Sequence, residues 1–299
     1  MTVRLTDHLT DISVLRRIAP GIDPDHPAET DLERIAFHEM AHGRVLVRHT
    51  GGVRWEGQMP PRQLVAEAAQ DIMAEPSPEA ARARMAILLR RAQARLAARE
   101  GDPGGAVEVL ARRRAHDGFY ALDEVTLRHE TFAGGMSGPL DRAVFVSYDA
   151  VIMLPYDPAS DRVCLVEQFR MGPFARGERD PWMAEPVAGL IDAGETPEST
   201  AVREAEEEAG LAIERLVPLG AGYSSPGAST GYHHHFIGIC AIPERVRRGG
   251  LDAEGEDIRA VPLPAEELFA RLDAGRLRNT PLILCAYALR QLREGLRAG

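Results

Sequence analysis

Lysine is missing from this chain: all 35 of its basic residues are arginines. That absence excludes Schiff-base chemistry, a lysine general base and the lysine of a phosphate-binding P-loop. Cysteine is scarce. Cys164, Cys240 and Cys285 stand apart with no CxxC spacing, so neither a disulfide framework nor a cysteine-ligated zinc site is expected, and all three read as buried reduced thiols. No apolar run approaches the roughly 20 residues that span a bilayer. MTVRLTDHLTDISVLRRIAP lacks the uninterrupted apolar stretch of a signal peptide, so a cytoplasmic location is expected. Positive charge is short relative to negative. The formal net charge of −10 disfavours nucleic acid and anionic membrane as partners, and a small anionic substrate needs local arginines or a metal ion.

What is present suits a soluble globular protein of one large domain or two ordinary ones. Residues 62–98 read as helical, with apolar residues at helical spacing in RQLVAEAAQDIM and AARARMAILLRRAQARL, and residues 29–42 also read as helical. RVLVRHTGGVRW suggests a hairpin around Gly51-Gly52, and GDPGG at 101–105 reads as a linker. Strand-like segments dominate from about residue 107: FYALDEVTLRHETF, AVFVSYDAVIMLPYD, RVCLVEQFR, AIERLVPLGAG, YHHHFIGICAIP and DIRAVPLP. PAEELFARLDAG and NTPLILCAYALRQLREGL close the chain as helices. The expectation is a mostly helical module at 1–105, dimerising or regulatory, followed by an α+β domain at 106–299.

The most specific stretch is GLIDAGETPESTAVREAEEEAGL, residues 189–211. Thr196 as N-cap, Pro197 at the first helical position and Gly210 at the stop predict a helix over 197–209. Helical spacing puts Glu204 beside Glu207 and Glu208, while Glu206 points elsewhere. Like charges at that spacing repel unless a cation lies between them. Arg203, four residues before Glu207, can brace it. Carboxylate oxygens are hard ligands, so Mg²⁺ or Mn²⁺ shared with substrate phosphates is the expected cation. Gly189 is expected to let the backbone turn tightly and present the Ala188 carbonyl as a further ligand.

These residues fit Gly-x5-Glu-x7-Arg-Glu-U-x-Glu-Glu-x-Gly-U, with U a bulky aliphatic, except that Ala205 is smaller than usual. The segment resembles the signature box of the Nudix hydrolases. VCLVEQFR, WMAEPVAGLIDAGE, SSPGAST and GLDAEGEDIR together resemble ADP-ribose pyrophosphatases, over about residue 107 to the end.

The resemblance implies an α+β fold, a Nudix α/β/α sandwich, in a homodimer with an exchanged N-terminal strand region. It implies Mg²⁺-dependent hydrolysis of ADP-ribose to AMP and ribose 5-phosphate. Alternatives are hydrolysis of another nucleoside diphosphate sugar, or a non-catalytic ADP-ribose sensor. It matches Glu204 and Glu208 to metal-binding carboxylates, with Glu207 beside them and the Ala188 carbonyl added. Arg170 and Arg142 match arginines that hold the diphosphate or terminal ribose phosphate, and Phe119 an aromatic that stacks on adenine. Glu254 and Glu256 match an acidic loop from which one glutamate completes the metal site and activates water. Related enzymes usually carry Glu where this chain has Gly231, which bears on specificity.

Two further stretches invite other readings. HEMAH at 38–42 matches the zinc-binding pattern His-Glu-x-x-His, with His38 and His42 as ligands, Glu39 as base and Glu67 a conceivable third ligand. Gly43 follows at once and no other metalloprotease feature accompanies it, so the match reads as coincidence. His233, His234 and His235 lie in a strand segment, where successive side chains face opposite ways and do not converge on one ion.

Overall fold

The computed structural model describes residues 62–99, 104–244, 248–250 and 256–298. HEMAH, the Gly51-Gly52 segment and Glu254 lie outside the described residues. The chain divides into two compact units, one ending at Ala143 and including Asp192–Gly194, the other holding Val144–Ile191 and the chain from Glu195 onward.

In the first unit, helices α1 (Arg62–Met73) and α2 (Pro78–Ala97) lie side by side. Ser77 caps α2 by accepting the Ala80 amide at 3.2 Å, and Pro78 supplies the pre-set φ of the first turn. Leu64, Ala68 and Ile72, one stripe at four-residue spacing, bury against Ala81, Leu88, Leu89 and Ala92. Strands β1 (Val107–Asp117), β2 (Ala121–His129) and β3 (Leu140–Val146, of which Leu140–Ala143 belong to this unit) form a three-stranded sheet in that order. Arg91 of α2, only 2% exposed, ties helix to hairpin through Asp117 at 2.6 Å and the Gly118 carbonyl at 3.0 Å. Arg90 binds Asp192 at 2.5 Å and Gln93 accepts the Gly194 amide at 2.7 Å, which places that short loop in this unit. Packing therefore divides the chain after Ala143, whereas the sequence pattern sets the domain boundary at 105/106.

The second unit is the expected sandwich. Its strands are β4 (Asp149–Asp157), β5 (Arg162–Phe169), β6 (Trp182–Glu185), β7 (Val187–Leu190), β8 (Arg215–Tyr223), β9 (Tyr232–Ile239), β10 (Arg248–Gly249) and β11 (Ile258–Pro264). Their order is β10-β11-β5-β4-β9-β8, with β6 on β5 and β7 on β4. Only the central β4–β9 pair among the registered pairs is parallel. AVIMLPY of β4 is buried throughout, because a central strand covered on both faces reads as a continuous apolar run.

Helices α3 (Met171–Arg176), α4 (Pro197–Ala209), α5 (Ala265–Asp273) and α6 (Thr280–Ala298) complete the unit. Ile152, Leu154, Val163 and Leu165 point one way, toward Leu268, Leu282 and Leu289 of α5 and α6. Val151, Met153, Cys164 and Val166 point the other way, toward Ala201, Ala205 and Ala209 of α4. All three cysteines are buried and free, and burial raises each thiol to about 12. The short α3, β6, β7 and β10 are too brief to leave a periodic signal.

Candidate active site

Helix α4 runs over the residues its caps predict. The Thr196 hydroxyl accepts the Ser199 amide at 3.2 Å, and Gly210 closes the helix in the left-handed region at φ 63°. Ala201, Ala205 and Ala209, all fully buried, form the stripe against the sheet. The small Ala205 lets the helix approach closely, which brings the neighbouring Glu204 and Glu208 up to β7.

Glu208 is 2% exposed and accepts the Ala188 amide at 3.1 Å. Desolvation raises its carboxyl to about 8, with Glu204 and Glu256 adding repulsion, against the Ala188 bond and the Arg170 charge. Desolvation likewise raises Glu204 to about 7; Arg203 opposes, while Glu207 and Glu256 add to the rise. Arg203 is the local counter-ion. Its guanidinium reaches Glu204 and Glu207 at 2.8 Å each, and Glu195 at 2.9 and 3.0 Å. These partners, Glu195 first, hold its pKa well above the usual arginine value. Glu195 also accepts from Thr200 at 2.7 Å, so it anchors the brace in turn. Glu206 faces solvent.

Gly189 corrects one expectation. It makes no tight turn: it pairs with Val151 within the β7–β4 ladder and is not among the glycines with positive φ. Its role is space. A Cβ there would overlap the Glu204 carboxylate and lie 2.5 Å from its Cγ.

Glu256 is half-buried just before β11, and its charge is felt at both Glu204 and Glu208. The Gly250 amide donates to the Glu207 carbonyl at 3.0 Å, tying the end of β10 to α4. Arg170 follows β5 and is held by Glu185 of β6. Glu204, Glu207, Glu208, Ala188, Glu256 and Arg170 thus belong to one region of the second unit. Phe119 and Arg142 belong to the first unit. Phe119 is half-exposed at the β1–β2 turn, edge-on to Tyr120 with ring centres 4.8 Å apart. Arg142 donates to the Asp141 carbonyl at 2.8 Å and lines a groove of about 550 Å³ with Arg112, Arg113, Glu124 and Thr126.

The donor set suits a divalent ion. Hard carboxylate oxygens, one of them almost wholly buried, repel one another, and a glycine leaves room for a second carboxylate against β7. Among the described residues no three His, Cys, Asp or Glu side chains are already gathered as a metal-binding set. Arg203 currently holds two of the carboxylates. The conceivable zinc ligand Glu67 is committed instead to Arg95 at 2.7 Å and Arg99 at 2.6 Å. His233 and His235 share one face of β9, with ring centres 6.1 Å apart, and burial lowers the pKa of all three histidines. Glu185 belongs to no local motif, and a lone acid in the apolar WMAEP is its signal in the sequence.

A family model described as the NUDIX domain matches residues 147–283. An ADP-ribose pyrophosphatase of Escherichia coli K12 is 34% identical over 191 residues, covering 64% of this chain and 91% of the relative. One from Haemophilus influenzae is 34% identical over 175 residues, covering 58% and 81%. A GDP-mannose pyrophosphatase of Pectobacterium atrosepticum is 29% identical over 178 residues, covering 60% and 91%. A crystal structure titled as an ADP compounds hydrolase superposes with a TM-score of 0.50 at 18% identity, covering 66% of this chain and all of that one, a likeness of fold.

Proposed function

The chain belongs to the Nudix family, and from that premise we propose that it hydrolyses the diphosphate of ADP-ribose to AMP and ribose 5-phosphate with Mg²⁺. The observation that carries this reading is the carboxylate cluster of α4, with Glu208 2% exposed and Glu204 seated in the space left by Gly189. Burying like charges is costly unless a cation neutralises them.

In this reading Glu204, Glu207, Glu208 and the Ala188 carbonyl hold the ion, with Mn²⁺ as a substitute. The bound ion offsets charge building on the diphosphate and acidifies water. Arg203 and Glu195 keep the carboxylates in register. Arg170 takes the diphosphate, and Glu256 or Glu254 accepts the proton of the attacking water. Arg142 as a phosphate ligand and Phe119 as a stacking partner for the base are carried forward from the resemblance. So are the homodimer and the cytoplasmic location. Among the described residues no helix is long and apolar enough to cross a membrane.

Incubation with ADP-ribose and Mg²⁺ tests the reading. AMP and ribose 5-phosphate should form in equal amounts, and EDTA should stop them; no AMP release refutes it. A second reading, another nucleoside diphosphate sugar, is favoured by the GDP-mannose pyrophosphatase relative and by Gly231. Comparing kcat/KM for ADP-ribose and GDP-mannose separates the two. A sensor without catalysis fits less well, since binding alone has no need of so costly a carboxylate cluster.

A further inference from the structure

Besides Glu208, the described part of the second unit buries two carboxylates below a tenth exposure, Asp157 and Glu185. Asp157 serves its own turn, accepting from the Ala159, Ser160 and Ile242 amides and the Ser160 hydroxyl. Glu185, 6% exposed at the end of β6, serves other elements. One carboxylate oxygen, Oε2, accepts from Arg170 Nε at 2.8 Å and Nη2 at 2.7 Å. Its other oxygen, Oε1, accepts from Asn279 Nδ2 at 3.0 Å. Asn279 Oδ1 in turn accepts the Leu282 amide at 2.8 Å in the first turn of α6. The carboxylate is therefore pinned from two sides, and it immobilises two of the three guanidinium nitrogens of Arg170.

We infer that Glu185 is the positioning residue of Arg170, holding the guanidinium in one orientation for the substrate diphosphate. This rests on the diphosphate role proposed above for Arg170. Two physical effects of Glu185 have opposite signs. As a nearby negative charge it repels the substrate, so on electrostatics alone its removal tightens binding. As a clamp it spares Arg170 the ordering cost of binding, so its removal weakens binding. The inference is that the clamp wins, because two guanidinium nitrogens held on one buried carboxylate restrain a long side chain with several rotatable bonds.

The test measures KM, kcat and melting temperature with ADP-ribose and Mg²⁺ for wild type, Glu185→Gln, Glu185→Asp, Arg170→Ala and the Arg170→Ala/Glu185→Gln double variant. Glu185→Gln should raise KM about tenfold, with kcat within about twofold, by loss of preorganisation. Glu185→Asp keeps the charge but loses the reach, and should shift KM in the same direction. In the double variant Glu185→Gln should add almost nothing to Arg170→Ala. Glu178→Gln is the control: Glu178 pairs with Arg176 and Arg278, not Arg170, and KM should be unchanged. An unchanged or lower KM in Glu185→Gln, with only a lower melting temperature, overturns the inference, as does multiplication of the two effects. If Arg170→Ala alone leaves KM unaltered while wild type turns over, the assignment of Arg170 is wrong and the inference falls with it. A wild-type protein that releases no AMP instead sinks the proposed activity.

Discussion

Replacing Gly189 by alanine inserts a single methyl group into the space that Glu204 occupies. The backbone there is extended and paired with Val151, so alanine is acceptable to the strand itself. The conflict is with the side chain opposite. The new Cβ would lie 2.5 Å from Glu204 Cγ and closer still to its carboxylate, where ordinary contact begins at 3.4 Å. Glu204 must move its carboxylate by roughly 1.5 Å or change rotamer, and overpacking of this kind costs about 1–3 kcal/mol. A displacement of about 1 Å at a reacting centre lowers rate by around 10²-fold. Urea denaturation of wild type, Gly189→Ala, Glu204→Ala and the double variant measures the coupling, and turnover of ADP-ribose measures the catalytic loss. With Glu204 shortened, the added methyl has room, and its cost should drop to within about 0.5 kcal/mol. An equal cost in both backgrounds, or a Gly189→Ala enzyme with wild-type kcat, refutes the reasoning.

Glu208→Gln should lower kcat by about 10²-fold or more, while the metal-free protein holds its stability near neutral pH and gains above about pH 8, where the buried carboxylate would be charged; near-normal turnover contradicts the proposed role. Glu204 and Glu208 titrate at about 7 and about 8 against an ordinary 4.5, so without metal the folded state binds more protons than the unfolded state between those values. Their contribution to stability is greatest below about pH 4.5 and falls as pH rises through about 7 to 8. Mg²⁺ must displace those protons, so its effect on melting temperature should be larger at about pH 8.5 than at about pH 6; a pH-independent shift would count against the site. Asp161 gathers Arg293, Arg297 and Tyr156, and Arg293 foremost holds its carboxyl down to about 2. Its φ of 56° is one that asparagine also tolerates, so Asp161→Asn isolates the charge. The variant should lose about 1–3 kcal/mol at neutral pH, and the difference should shrink as pH falls from the usual 3.8 toward 2, read by denaturation at each pH.

Helix α4 shows how far linear pattern reaches. Its cap, its proline, its stop and the facing of three glutamates are short-range properties, set within four residues by helix geometry, and the structure places them as spacing predicts. The apolar runs of β4 and β5 were equally legible, because central strands need no alternation. Gly189 shows where pattern stops. The sequence marks it as special, but the reason is a carboxylate fifteen positions later that only the packing of α4 on β7 brings near. Glu185 goes further: its partners are the residue after β5 and the residue before α6, and no local spacing couples the three.

By itself, then, the amino-acid order determined the longer helices and strands and the chemical class of the α4 carboxylates, because these depend on near neighbours along the chain. Which carboxylate is buried, and what Gly189 makes room for, were decided by tertiary packing alone. Desolvation and hydrogen bonding act over a few ångströms of space, whatever the distance along the chain.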